Sequence, residues 1–155
     1  MNTLTRRTML LSLAMAASAS YRIRGQQPPK LDVYKDPTCG CCGFWVAHMR
    51  AQGFTASVTD SPDIDAVKTK YRVPSQLRSC HTTVVGGYVI EGHVPAADVK
   101  RLLKERPTVV GLTVPGMIVG SPGMEGPNGR PYDVLTFDAA GKTTVYSTQQ
   151  PSSRA

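Results

Sequence analysis

The chain has 155 residues, a formal net charge of +7, and 41% hydrophobic against 19% charged side chains. That composition belongs to an ordinary globular protein and excludes disorder over most of the length. A single domain of this size has interior enough to fold without covalent staples. No apolar run reaches the roughly 18 residues a membrane-spanning helix needs.

Residues 1–19 read as an export signal. Arg6 and Arg7 form a positive start, Met9 to Ala17 an apolar stretch, and Ala17-Ser18-Ala19 a small-x-small cleavage site. The arginine pair also fits the twin-arginine route, used for proteins exported already folded. Without these residues the chain loses two arginines and no acid, so its net charge falls to +5. Export argues against nucleic acid as a partner, although the charge alone would allow one. The expected organisation is a signal at 1–19, a linker at 20–29, one domain at 30–147 and a disordered tail at 148–155.

Within the domain, Leu31 to Tyr34 alternates apolar and polar side chains as a short strand does, and Asp36-Pro37-Thr38 turns the chain. Cys42 to Gln52 follows as a helix, with Trp45 and Met49 one turn apart and Gly53 as its stop. Phe54 to Thr59 is a second strand. Ser61-Pro62 opens a second helix as N-cap and first-turn proline, with Ile64, Val67 and Tyr71 as its apolar stripe. Thr82 to Val85 and Tyr88 to Glu91 are strands joined by Gly86-Gly87, the connection a tight hairpin requires. Pro95 starts a third helix that carries Val99, Leu102 and Leu103 inward, with Lys100, Arg101, Lys104 and Arg106 on a solvated face. The resulting order, β-α-β-α-β-β-α, is that of an α/β thioredoxin-like core.

Residues 107–131 hold 11 glycines or prolines among 25 residues and read as a loop with repeated Pro-Gly-Met turns. A structureless stretch of that length inside a domain is usually functional or disordered. Tyr132 to Phe137 and Thr143 to Ser147, flanking Ala140-Gly141, form a closing C-terminal hairpin.

Chemistry concentrates on Cys39, Cys41, Cys42 and Cys80, three of them within Thr38-Cys39-Gly40-Cys41-Cys42-Gly43. That segment lies between the first strand and the first helix, where backbone N–H groups stabilise thiolate and should lower the pKa of Cys41 and Cys42. Cys80 precedes the third strand, so in a thioredoxin-like core all four sulfurs converge. Three readings stay open. Two disulfides, Cys39–Cys42 and Cys41–Cys80, would suit an exported protein, although a bridge across so short a loop adds little stability. A thiol–disulfide oxidoreductase would use Cys39 and Cys42 as its C-x-x-C pair. Against this stand Cys41 inside the motif and Ser79-Cys80-His81-Thr82 where such enzymes carry a cis-proline. Metal binding is favoured. Clustered thiolates select soft ions, Cu(I) first, and adjacent Cys41 and Cys42 suit a polynuclear cluster better than one closed zinc site.

Other side chains are secondary candidates. His81 offers a nitrogen, although strand alternation can turn it away. His48 reads as packed or solvated on the first helix, and His93 as part of the turn that starts the third. Met117 and Met124 are soft thioethers in the Gly-rich loop, placed to lid the site.

Val33 to Gly43, Ser79-Cys80-His81-Thr82, Val85 to Pro95 and the segment from Gly116-Met117 to Gly126 together resemble a bacterial domain family of formerly unknown function. That family contains the periplasmic copper-resistance protein CopG. The resemblance runs from Lys30 to Tyr146, 117 residues. Ile118 in place of a proline and Phe44 in place of a lysine-like residue depart from the family pattern. The resemblance implies a periplasmic thioredoxin-like protein with a copper centre on Cys39, Cys41, Cys42 and Cys80. The expected function is therefore to bind Cu(I), as a thiolate cluster, and to lower copper toxicity. Its expected partners are copper ions and another periplasmic copper protein or exporter, with the 107–131 loop covering the site. The alternative is a periplasmic oxidoreductase acting on thiols or copper through Cys39 and Cys42.

Overall fold

A computed structural model of the chain describes residues 27–152, and the expected export signal lies outside them. The described residues form a mixed α/β fold, with three α-helices and one seven-stranded sheet. The elements run β1 (Lys30–Lys35), α1 (Gly40–Ala51), β2 (Thr55–Asp60), α2 (Ile64–Lys70), β3 (His81–Val85), β4 (Tyr88–Glu91) and α3 (Ala96–Glu105). They continue with β5 (Gly111–Thr113), β6 (Tyr132–Phe137) and β7 (Thr143–Gln149). Through α3 this is the expected β-α-β-α-β-β-α order. The strands lie β2-β1-β3-β4-β5-β6-β7 across the sheet. β1 is parallel to β2 and β4 to β5, and the other neighbours are antiparallel.

Local chemistry accounts for the boundaries. The Asp36 carboxylate accepts the Thr38 N–H at 2.7 Å and the Thr38 hydroxyl at 2.5 Å, and the Asp36 carbonyl accepts the Cys39 N–H at 3.0 Å. This side-chain turn ends β1 and starts α1 at Gly40, two residues before the predicted start. Cys41 and Cys42 therefore occupy the helix's first turn, with Cys39 as the N-cap. The second helix also starts elsewhere. Asp63, not Ser61, is its N-cap, accepting the Ala66 N–H at 2.9 Å, because a carboxylate placed one residue before Ile64 reaches that donor. Gly86 and Gly87 both have positive φ, +56° and +91°, as a tight two-residue hairpin turn needs.

Side chains alternate between the two faces of the sheet. On one face Leu31 and Val33 of β1, with Tyr88 and Ile90 of β4, pack with Trp45, Val46 and Met49 of α1 and Val99 and Leu102 of α3. Val89, between Tyr88 and Ile90, instead joins a smaller cluster with Val73, Leu77 and Phe137.

The stretch 107–131 is not wholly irregular. Gly111-Leu112-Thr113 forms β5 between β4 and β6, buried throughout. A Cβ on Gly111 would lie 1.7 Å from the Val89 carbonyl oxygen, so glycine is required there for the strands to meet. The C-terminal hairpin extends past its predicted end to Gln149, and the Ser152 N–H and hydroxyl both donate to the Gly120 carbonyl at 2.8 Å. Residues 148–152 thus pair and bond where a tail was expected.

Candidate metal centre

The four cysteines meet. Their sulfurs all lie within 4.8 Å of one another, although Cys80 is 38 residues from Cys42 in sequence. Antiparallel pairing of β1 with β3 sets Lys35 opposite His81. The residues just beyond these strand ends, Asp36 to Cys42 on one side and Cys80 on the other, are thereby neighbours. Cys42, in the first turn of α1, is fully buried, whereas Cys39, Cys41 and Cys80 are half-buried. Cys39 and Cys42 are joined in a disulfide, leaving Cys41 and Cys80 as free thiols. Cys41 Sγ stands 3.5 Å from Cys39 Sγ.

A second donor group shares Cys80. The ligand atoms of Cys80, His81 and His93 also lie within 4.8 Å of one another. His93 Nε2 is 3.0 Å from Cys80 Sγ, and its Nδ1 is 2.7 Å from the Pro122 carbonyl oxygen. A carbonyl only accepts, so Nδ1 carries the proton and Nε2 presents its lone pair to Cys80. A metal-binding imidazole uses the same arrangement, its outer nitrogen donating to a carbonyl that fixes tautomer and orientation. Burial lowers the pKa of His93, against smaller raising effects of the Pro122 carbonyl and Glu125. His81 is held well below the usual imidazole range, first by burial and then by His93 and Lys68. Both rings are therefore neutral at neutral pH. His81 Nδ1 lies 3.2 Å from Cys80 Sγ, and its ring packs against Trp45 at 4.4 Å between centroids.

His93 lies in the turn that leads into α3, as expected, but sequence reasoning missed that it also faces Cys80. Its signal was the hairpin: β4 runs antiparallel to β3 and returns the chain to Cys80, a placement that depends on the tight Gly86-Gly87 turn. The other secondary candidates divide. His48 packs as expected, accepting the Ala96 N–H at 3.4 Å where α3 begins, and burial lowers its pKa. Met117 is 51% exposed, and Met124 is half-buried in the turn after Gly123.

The Gly-rich loop does lie over the centre. Pro122 holds His93, and Gly116 accepts the Ser79 hydroxyl through its carbonyl while donating its N–H to the Arg78 carbonyl at 3.1 Å. Gly123, with φ +81°, passes so near α1 that a Cβ there would stand 2.5 Å from the Trp45 nitrogen. No other residue permits that approach.

The Cys80 thiol is pushed up to about 12, first by burial and then by the charge of Cys41. The folded value lies above the unfolded one of about 8.5. The stabilisation it contributes is therefore complete below about pH 8.5 and is lost as pH rises through about 12. With the disulfide intact, Cys41→Ser leaves Cys80 as the one free cysteine among the described residues. Its alkylation rate in metal-free protein should go on rising above pH 9, because burial, the largest cause of the raised pKa, remains when Cys41 is gone, and a plateau near pH 9 would contradict this assignment.

The family described as "Protein of unknown function, DUF411" matches residues 77–124, which include Cys80 and His93. No curated protein matches. Two solved structures of copper resistance protein CopG, forms 1 and 2, are each 43% identical over 79% of this chain and 98% of theirs, with TM-scores of 0.75 and 0.74 respectively. The chain belongs to the CopG family. The CopG likeness extends beyond the 77–124 segment over most of the chain.

Proposed function

We propose that the chain is an exported copper-binding protein of a copper-resistance system, holding Cu(I) in a polynuclear cluster on Cys39, Cys41, Cys42 and Cys80. His93 Nε2 is the nitrogen ligand beside Cys80. The observation that carries the reading is the convergence of four cysteine sulfurs within 4.8 Å. Soft thiolates in that number favour Cu(I) over harder ions, and the likeness to a copper resistance protein points to the same metal. The export signal at 1–19 supports a periplasmic location. The βαβαββα order, with β1 parallel to β2 and β3 antiparallel to both β1 and β4, supports a thioredoxin-like core. In that arrangement Cys80 takes the position before the third strand.

Trp45 provides the test, as the single tryptophan and as the ring packed on His81. Titrating reduced protein with Cu(I) should quench its fluorescence and build a thiolate-to-copper charge-transfer band in parallel. In His93→Ala the affinity should fall by more than about tenfold, since loss of a group that only orients a ligand already costs about ten- to a hundredfold. An unchanged affinity in that variant would remove His93 from the centre, and no quenching in the parent would remove copper.

The Cys39–Cys42 disulfide favours a second reading, thiol–disulfide exchange. A dithiol substrate would then give two electrons and two protons to the disulfide, leaving Cys39 and Cys42 as thiols and the substrate as a disulfide. That activity would survive in Cys41→Ser, whereas the copper cluster would not.

A further inference from the structure

A buried ion pair lies directly behind the centre. Lys68 on α2 and Glu91 on β4 have side chains only 3% and 0% exposed, with Lys68 Nζ 2.5 Å from Glu91 Oε1. The same carboxylate oxygen accepts the Ser79 N–H at 2.7 Å, and Oε2 accepts the Thr82 hydroxyl at 2.7 Å. Lys68 Nζ also donates to Thr82 Oγ1 at 3.2 Å. One carboxylate thus holds both residues that bracket Cys80-His81. Glu91 is two residues before His93, and the Gly92 N–H between them donates to the His81 carbonyl at 3.0 Å. Gly92 has no room for a side chain, since a Cβ would stand 2.5 Å from Ser79 Oγ and 2.7 Å from the Val114 carbonyl oxygen. The 79–82 and 91–93 segments are locked together at this point.

Stability does not require charges here. Well-packed apolar side chains of similar volume commonly serve a core as well as a buried ion pair or better. What apolar side chains cannot do is accept the Ser79 N–H and the Thr82 hydroxyl at once. We infer that Glu91, its charge balanced by Lys68, is a positioning residue, which fixes the Cys80 sulfur and the His93 imidazole in the relative placement that a metal ion meets. The metal part of this inference rests on the copper reading above; the positioning part does not.

The test separates the two. In the full chain with Cys41→Ser and the Cys39–Cys42 disulfide intact, the rate at which iodoacetamide alkylates metal-free Cys80, followed across pH so that ionisation is separated from access, reads how its sulfur is held. Adding Lys68→Met, Thr82→Val and Glu91→Leu replaces the whole polar group by apolar side chains of similar shape, a change that cores tolerate. The rate should then rise by about tenfold, the effect of releasing a segment held by hydrogen bonds to a charged group. Lys68→Met with Glu91→Gln should stay near the parent rate, because the amide oxygen still accepts the Ser79 N–H and the amide nitrogen can donate to Thr82. In the reduced chain with all four cysteines, the apolar set should weaken Cu(I) binding by about tenfold, the scale seen when groups orienting a ligand are lost, and the Gln set should not. A folded apolar variant alkylated at the parent rate overturns the inference, as does faster alkylation with unchanged Cu(I) affinity. If the apolar set fails to fold, Thr82→Val alone, which frees one of the two residues that Glu91 holds, should still raise the rate severalfold, and the parent rate there overturns the inference. If the parent binds no Cu(I), the copper reading fails while the alkylation rates still decide the positioning.

Discussion

Cys80→Ser is expected to lower Cu(I) affinity by at least about a hundredfold and to abolish the charge-transfer band of the reduced protein. The basis is its place in both donor groups, with Cys39, Cys41 and Cys42 on one side and His81 and His93 on the other. Loss of a residue that only orients a ligand already costs about ten- to a hundredfold in metal affinity, so loss of the shared ligand itself costs more. The fold should survive, because the half-buried serine can still donate to His93 Nε2, now the only partner that nitrogen needs. Competition with a Cu(I) chelator of known affinity measures the first outcome, and thermal unfolding of metal-free protein the second. Retention of copper within a few-fold of the parent would mean that the ions are held by α1 alone, and the shared-centre description would be abandoned.

Reduction should change the amount of copper bound in a step. With Cys39–Cys42 closed, only Cys41 and Cys80 are available as thiols, and a bridging cluster has too few sulfurs to form. Two electrons and two protons open the disulfide and restore Cys39 and Cys42. Copper per chain, from elemental analysis alongside thiol titration, should then rise from at most one to more than one, with all four thiols shielded. No uptake after reduction, with two thiols cycling reversibly, would instead assign the centre to disulfide chemistry. Binding of soft ions draws protons from the thiols it recruits, so uptake at Cys80, whose thiol is pushed up to about 12, should release a proton even above pH 8.

These predictions draw unequally on sequence and structure. Cys39, Cys41 and Cys42 were legible as a thiol site because they are adjacent and stand between a strand and a helix. The strands and helices through α3 were legible because their apolar side chains repeat at two or about 3.6 residues. What failed were features without a periodic signal. β5 is three residues long and exists only because the exposed edges of β4 and β6 present hydrogen-bond partners on both sides. The start of α2 depends on which of two capping side chains reaches a free N–H, and Asp63 does.

By itself the sequence determined an α/β fold with four cysteines, three of them clustered, and pointed to soft-metal or redox chemistry at their sulfurs. Both conclusions rest on local terms: side-chain periodicity, turn geometry and the softness of sulfur. Only the tertiary structure decided that His93 faces Cys80, that the Gly-rich loop reaches the centre through Pro122 and Gly123, and that Lys68 and Glu91 stand behind it. Each of those contacts joins residues far apart in sequence. They form only when strand register and helix packing have closed the loops between them, which no local pattern encodes.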